Sequence, residues 1–293
     1  MAPVMADPII SHVSDTAFLV AQVRATETAR ADALFHDPLA ARLAGEKGKA
    51  IARAFPAMSA WTIVIRTIII DAFIREAIAG GVDVVVNLGA GLDTRPYRLD
   101  LPSNLTWVEV DYPDVIAFKQ QHLASEKPRC QLERVGIDLT IEADRRALLS
   151  KLDARATLML VLTEGVVPYL DVAQAAALAD DLRALPRVTS WIVDYVSPES
   201  HAHRDRHVSQ RLGRAQFKFR PPDWFGFFAS HGWRARETRY LADEAKRVGR
   251  APPFPPMARL LMATLGRFTP PEKRDAFRKF AAYVVLEPAG RAS

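Results

Sequence analysis

Hydrophobic positions change period along the chain. From residue 14 to about 80 they recur at helical spacing, and Trp61, Val64, Ile65, Ile68 and Ala72 share one helix face. Gly80 and Gly81 are the expected end of that helix. Beyond it, short β-branched runs alternate with helical stretches. Strands are expected near 83–88, 106–111, 132–137, 156–162 and 189–196, and helices around 112–124, 142–152 and 171–185. Apolar runs separated by helices predict a parallel sheet covered on both faces. Trp233–Tyr240 and Ala281–Glu287 complete a mostly parallel, seven-stranded α/β sheet. Residues 199–230 and 241–280 break the pattern, with turns at Pro221–Pro222, Pro252–Pro253 and Pro255–Pro256. This is read as one domain over 1–293: a helical cap (1–80), a core (81–198), lid insertions with the sixth strand (199–280) and a last strand (281–288). There is no internal repeat.

One segment carries candidate chemistry. Val84 to Leu99 reads VVVNLGAGLDTRPYRL, a buried-strand pattern running into Gly89-Ala90-Gly91. Glycines there permit a sharp turn and close approach of a ligand. A glycine loop at the end of a parallel strand is a place where α/β proteins hold nucleoside cofactors. A dinucleotide fits poorly. The third glycine of its fingerprint is replaced by Thr94, Asp93 adds a carboxylate, and Pro96 interrupts the helix start. S-adenosylmethionine, a nucleoside without phosphates, fits better; a tight turn with no ligand is the plainer alternative. Asp111 ends the second strand, 22 residues after Gly89. There it can accept both ribose hydroxyls, cap the following helix, or do both.

Composition narrows the class. Of 293 residues, 49% are hydrophobic, enough for a sizeable core. A single cysteine, Cys130, excludes an internal disulfide and suits the cytoplasm. The first basic residue is Arg24, so the N-terminus makes a poor signal peptide. No continuous apolar run approaches a membrane span, and no membrane is expected. The net charge of +5 is uneven: residues 201–293 hold 19 Lys and Arg against 8 Asp and Glu. Such a basic third attracts an anionic substrate or an acidic partner, or is simply a solvated surface. No nucleic-acid module accompanies it.

LGAGLDTRPYRL, EVDYPDVIAFK and TEGVVPYL (Thr163 to Leu170) together resemble the leucine carboxyl methyltransferase family, over about Ser14 to Pro288. The resemblance implies a class I, Rossmann-like fold and an S-adenosylmethionine-dependent O-methyltransferase, often with a carboxylate acceptor. It places Arg66 on the methionine carboxylate of the cofactor, the alternative being a structural pair with Asp71. It sets Asp138 and Leu139 against the adenine, the alternative for Asp138 being the N-cap of the helix near Glu142. Glu164 falls beside the methionine ammonium or the sulfonium, unless it is a structural carboxylate. Arg24 is a candidate for the acceptor carboxylate or a surface salt bridge. Tyr169 is a pocket residue or a core tyrosine.

The expected reaction is methylation of a carboxylate on a small metabolite, as in secondary metabolism, with a small, anionic acceptor. A phenol or enol hydroxyl, an acidic protein tail, and a non-catalytic binding protein of the same fold are the alternatives. A carboxylate, with a pKa near 4, needs no general base, whereas a phenol near 10 would benefit from one. His201, His203 and His207 form H-x-H-x-x-x-H, but Arg204 and Arg206 between them would repel a dication, so no metal is expected.

Overall fold

The computed structural model describes residues 14–207, 216–255, 257 and 270–290. Three helices lead: α1 (Asp15–Thr28), α2 (Ala40–Arg53, kinked at Gly45) and α3 (Ala57–Ala79). The core follows as β1 (Val84–Leu88), α4 (Arg95–Arg98), β2 (Thr106–Asp111), α5 (Pro113–His122), β3 (Gln131–Gly136), α6 (Glu142–Asp153), β4 (Met159–Thr163), α7 (Val172–Arg183) and β5 (Val188–Val196). Then come α8 (Pro198–His207), α9 (Trp224–Ser230), β6 (Trp233–Tyr240), α10 (Leu241–Arg247), α11 (Pro271–Arg278) and β7 (Ala281–Pro288).

The seven strands form one sheet in the order β3-β2-β1-β4-β5-β7-β6. The first five are mutually parallel, and β7 runs antiparallel between β5 and β6. Parallel neighbours need crossover connections, which the core helices supply. Strand order reverses between β1 and β4, and open α/β sheets bind ligands at the carboxyl ends of strands flanking such a point. Side chains of β1 alternate between two cores. Val84, Val86 and Leu88 pack with Trp191 and α7, while Val85 packs with Trp107, Leu160 and α3. The outer strand β6 keeps Arg234 and Arg236 exposed, which guards the sheet edge.

Three boundaries differ from the sequence reading for physical reasons. The helical 14–80 region is broken at 29–39 and 54–56. The fourth strand begins at Met159 because the Asp83 carboxylate takes the N–H groups of Thr157 and Leu158. Residues 199–230 and 241–280 contain helices where only breaks were expected; of the lid, 208–215, 256 and 258–269 lie outside the described residues.

One helix is longer than any continuous apolar run of the sequence. By length and composition α3 could cross a bilayer, with mean hydropathy 1.7. Its apolar residues Ile65, Ile69, Ile70 and Phe73 are instead fully buried under the sheet, and Asp71 is buried among them. The helix is apolar because it is a core element.

Candidate functional site

At the carboxyl ends of β1, β2 and β4 the sheet opens into a cavity of about 740 Å³, closed above by α1, α3, α8 and the segments after β6. The glycine loop forms its floor. Gly89 and Gly91 have φ of 70° and 47°, the left-handed region that disfavours side chains. Both glycines line the cavity, and their freedom also lets neighbouring chain segments approach closely. A Cβ at Gly89 would lie 2.3 Å from Val166 Cγ2, and one at Gly91 would lie 3.2 Å from Ala17 Cβ. The glycine facing open space is Gly165, at φ 67°, in the loop after β4.

The loop amides are already committed. Gly89 and Ala90 donate to the Val110 carbonyl, at 2.8 and 3.0 Å. Gly91 donates to Asp111 Oδ2 at 2.6 Å. A pyrophosphate would need these same donors, so the structure adds a reason of its own against a dinucleotide.

Asp111 stands at the tip of β2 and lines the cavity. Burial pushes its pKa up, against the pull of the Gly91 and Tyr112 amides. It accepts from Tyr112 N at 2.7 Å, but Tyr112, not Asp111, is the N-cap of α5. A carboxylate oxygen has two lone pairs, so capacity remains for ribose hydroxyls. Asp138 and Leu139 follow β3 and also reach the cavity. Asp138 accepts from Thr140 N and Oγ1, at 2.9 and 2.7 Å. It thereby shapes a turn ahead of α6, whose N-cap is Ile141. The helix-cap alternative for Asp138 is therefore corrected.

Beside the loop lies a buried ionic cluster. Arg66 Nε is 2.9 Å from Glu164 Oε1, but out of line for a hydrogen bond. Arg95, 1% exposed, reaches Asp71, Asp93 and Glu164 at 2.7, 3.0 and 2.8 Å. Arg98 holds Asp71 in a fork of 2.6 and 2.8 Å. The alternative pairing of Arg66 with Asp71 is thus overturned: Asp71 belongs to Arg95 and Arg98. Burial alone would raise the pKa of Glu164, but Arg95 and Arg66 more than offset it, and the group sits below its ordinary value. Asp194, at the end of β5, goes the other way. Burial pushes it up to about 6, against the Tyr283 hydroxyl it accepts from at 2.7 Å and the charge of Arg66.

Arg24 is 3% exposed. It holds Asp37 at 2.8 Å and donates to the Leu92 carbonyl. Thr94 Oγ1 donates to the same Asp37 oxygen at 2.6 Å. Arg24 therefore clamps α1 to the glycine loop. The salt bridge offered as its alternative exists, but it is buried rather than on the surface. Tyr169 packs against the α1–α3 cluster and also lines the cavity, so both readings of it meet.

The sequence reading missed Arg95, Arg98, Asp37, Asp194, Tyr283 and the Arg204–Phe217 pair. A signal existed for the first two: TRPYR sets two arginines next to a buried strand, and they must find anions. Of the three histidines, His201 is buried and pushed down to about 4, by burial first and then by Arg220 and Arg204. His203 packs its ring on Phe280. The side chain of His207 lies outside the described residues.

Two buried polar atoms on the cavity wall lack hydrogen-bond partners, Arg66 Nε and Asn87 Oδ1. An amino-acid end group, with its carboxylate and ammonium, would satisfy a donor and an acceptor of this kind. Together with the open space at Gly165 and the acceptor capacity of Asp111, the residues present fit S-adenosylmethionine.

Comparison with known proteins agrees. The family model described as leucine carboxyl methyltransferase matches residues 17–183. A relative from Mycobacteroides abscessus, carried under the name of an S-adenosyl-L-methionine-dependent methyltransferase, is 32% identical over 284 residues, covering 83% of this chain and 90% of its own. A Frankia alni relative named in the same way is 32% identical over 256 residues, covering 82% of this chain and 88% of its own. Two solved structures share the fold. One is a DUF574 family protein from Streptomyces avermitilis, 16% identical with a TM-score of 0.53, covering 96% of this chain and 99% of the other. The second, from Thermobifida fusca, is 11% identical with a TM-score of 0.54, covering 99% of each chain.

Proposed function

Because the chain belongs to the leucine carboxyl methyltransferase family and is an S-adenosyl-L-methionine-dependent methyltransferase, we propose that its acceptor is a carboxylate oxygen of a small anionic metabolite. One observation carries this reading: the cavity wall changes sign between sheet and cap. Its acidic residues, Asp93, Asp111, Asp138 and Glu164, all stand at the strand tips. The cap lines the cavity with Arg24, Arg66, Arg204, Lys218 and Arg278 and, among the described residues, with no Asp or Glu; Arg24, Arg66 and Arg278 are paired with acids, so Arg204 and Lys218 carry its excess charge. A positive cap over an apolar cavity draws in an anion.

When bound, S-adenosylmethionine supplies a methyl group on a sulfonium leaving group. The protein's residues divide the rest of the work. Arg66 presents a planar fork suited to the methionine carboxylate, and Glu164, kept ionised by its arginines, suits the ammonium. Asp111 takes the ribose hydroxyls, and Asp138 with Leu139 takes the adenine. A carboxylate acceptor is ionised at neutral pH, so no residue has to remove a proton. What remains is alignment and exclusion of water, which Trp61, Phe217, Phe254 and Phe280 supply from the cap.

The test is methyl transfer to a panel of carboxylic acids, phenols and an acidic peptide with a free terminal carboxylate, followed by mild alkali. Release of methanol identifies a carboxyl ester. An alkali-stable phenol ether as the sole product overturns the reading.

A further inference from the structure

Among the described residues, one partly buried cation on the cavity wall has no ion pair. Arg204, on α8, lines the cavity, with its guanidinium carbon 3.7 Å from the centroid of the Phe217 ring. Every nearby acid is accounted for. Asp205, its neighbour in sequence, is held by Arg220 in a fork of 2.6 and 2.8 Å. Glu164 serves Arg66 and Arg95, and Asp194 accepts from Tyr283. Among the described residues no carboxylate lies within ion-pair reach of Arg204, which rests over the Phe217 ring. The other cap cations differ. Arg24 is spent on Asp37, Arg278 is paired with Asp243 and Asp275, and Lys218 is exposed.

A desolvated guanidinium without a counter-ion is held at a cost to the fold. Burial draws its pKa below the usual arginine value, as expected for a site that lacks its anion. The guanidinium rests over the Phe217 ring, and a guanidinium fork matches a carboxylate. Tyr169 packs edge to face on the same ring, 5.1 Å between centroids. Tyr169 also feels the charges of both Arg204 and Arg66. Arg204 and Arg66 line the same cavity. It has aromatic walls from Tyr169, Phe217, Phe254 and Phe280.

We propose that Arg204, held on Phe217, is the receptor for the carboxylate of the methyl acceptor, and that it selects carboxylic acids with an apolar body. This rests on the carboxylate reading above. In the transfer, a lone pair of one carboxylate oxygen forms the new C–O bond while the C–S bond breaks toward sulfur. No proton moves, and the negative charge on the acceptor disappears as the sulfonium charge does. Arg204 therefore grips the substrate acid and loses its ionic hold on the product ester, which favours release.

The experiment compares wild type, Arg204→Lys and Arg204→Gln, each saturated with S-adenosylhomocysteine. Benzoate, cinnamate and octanoate are titrated in parallel with their methyl esters. Wild type should bind at least one acid about tenfold or more tighter than its ester. Arg204→Gln should erase that preference by weakening the acid alone, and Arg204→Lys should retain part of it. Affinity for S-adenosylhomocysteine and melting temperature should be unchanged, or the latter raised, since a partly buried charge without a counter-ion has been removed. A purely structural arginine would lower the melting temperature and weaken acid and ester alike. No acid–ester preference in wild type, or its survival in Arg204→Gln, overturns the proposal. The panel assay separates the two levels: alkali-stable products alone defeat the carboxylate reading, whereas ester formation indifferent to Arg204→Gln defeats only the receptor.

Discussion

Asp194 shows how one residue at the back of the site ties stability to pH. Its carboxyl is buried beside Tyr283 and the Gly165 amide, with a pKa pushed up to about 6. In the unfolded chain the same group titrates near 4. Between those values the folded state keeps a proton that the unfolded state has released. Stability from this group therefore falls as pH rises from about 4 to about 6, and the loss is complete above that window. Asp194→Asn has no such titration. Relative to wild type, the variant should gain roughly 2–3 kcal/mol between pH 4 and pH 7, read by urea denaturation at four pH values. Any loss at the Gly165 amide is constant in pH and leaves this slope intact; a flat difference would mean that Asp194 is ionised in the fold at an ordinary pKa. Nothing local in the sequence marked Asp194, because the groups that shift it arrive from β7 and the β4 loop. Arg66, Asp111, Asp138 and Glu164 were legible because each lies in a short motif at a strand end or on the helix beside it. Arg95, with anions 2, 24 and 69 positions away, was legible as an arginine needing anions but not as the centre of a cluster. The alternative partner offered for Arg66 failed for the same reason: Asp71 is near in sequence, but Glu164 is the residue the fold brings to it.

At the scale of elements, the join between the glycine loop and the β4 loop decides whether the cavity floor can form. Gly89 combines a left-handed φ of 70° with a Cβ position 2.3 Å from Val166 Cγ2. Val166 is β-branched and stiff, and it stands next to Gly165, itself at positive φ. Gly89→Ala should therefore push the two loops apart rather than be absorbed by a rotamer change. The expected loss is about 1–3 kcal/mol of stability, with a parallel loss of affinity for S-adenosylhomocysteine in calorimetric titration. A variant of wild-type stability and affinity would mean that the loops yield freely. Element order and type were largely readable, because helices and strands alternate with distinct hydrophobic periods. The second strand, 106–111, has the expected limits. The fourth begins late because a distant aspartate captures its leading amides, a tertiary event that periodicity does not encode. α3 departs in the opposite sense. No continuous apolar run of the sequence approaches a span, yet the helix is long and apolar enough to cross a bilayer, with about half of that stretch buried in the fold.

The whole molecule is assembled so that its cavity belongs to no single part of the chain. Its walls come from residues 14–66, from the strand tips between 87 and 174, and from 200–281. The first and second are already joined by the Arg24–Asp37–Thr94 clamp. The N-terminal helices are joined to the segment after α10, where Trp61 Nε1 donates to the Arg250 carbonyl and Arg250 holds Glu27. A ligand filling the cavity adds contacts to all three parts at once, so its binding energy should appear as stability across them. At a hundredfold excess over its dissociation constant, S-adenosylhomocysteine should add about 2.7 kcal/mol. Amide exchange gives the distribution. Protection should rise together in α1, in the loops after β1 and β4, and in α8 around Arg204, even though α8 is the furthest of these in sequence from the glycine loop. If protection is confined to the loops after β1, β2 and β4, the sheet binds the cofactor alone and the cap closes only on the acceptor. Repeating the exchange with the bound acid present would then show α8 responding to it. Because Arg24 and Arg250 already fasten the cap from two sides, the geometry favours the first outcome, a cap that tightens as one body when the cofactor arrives.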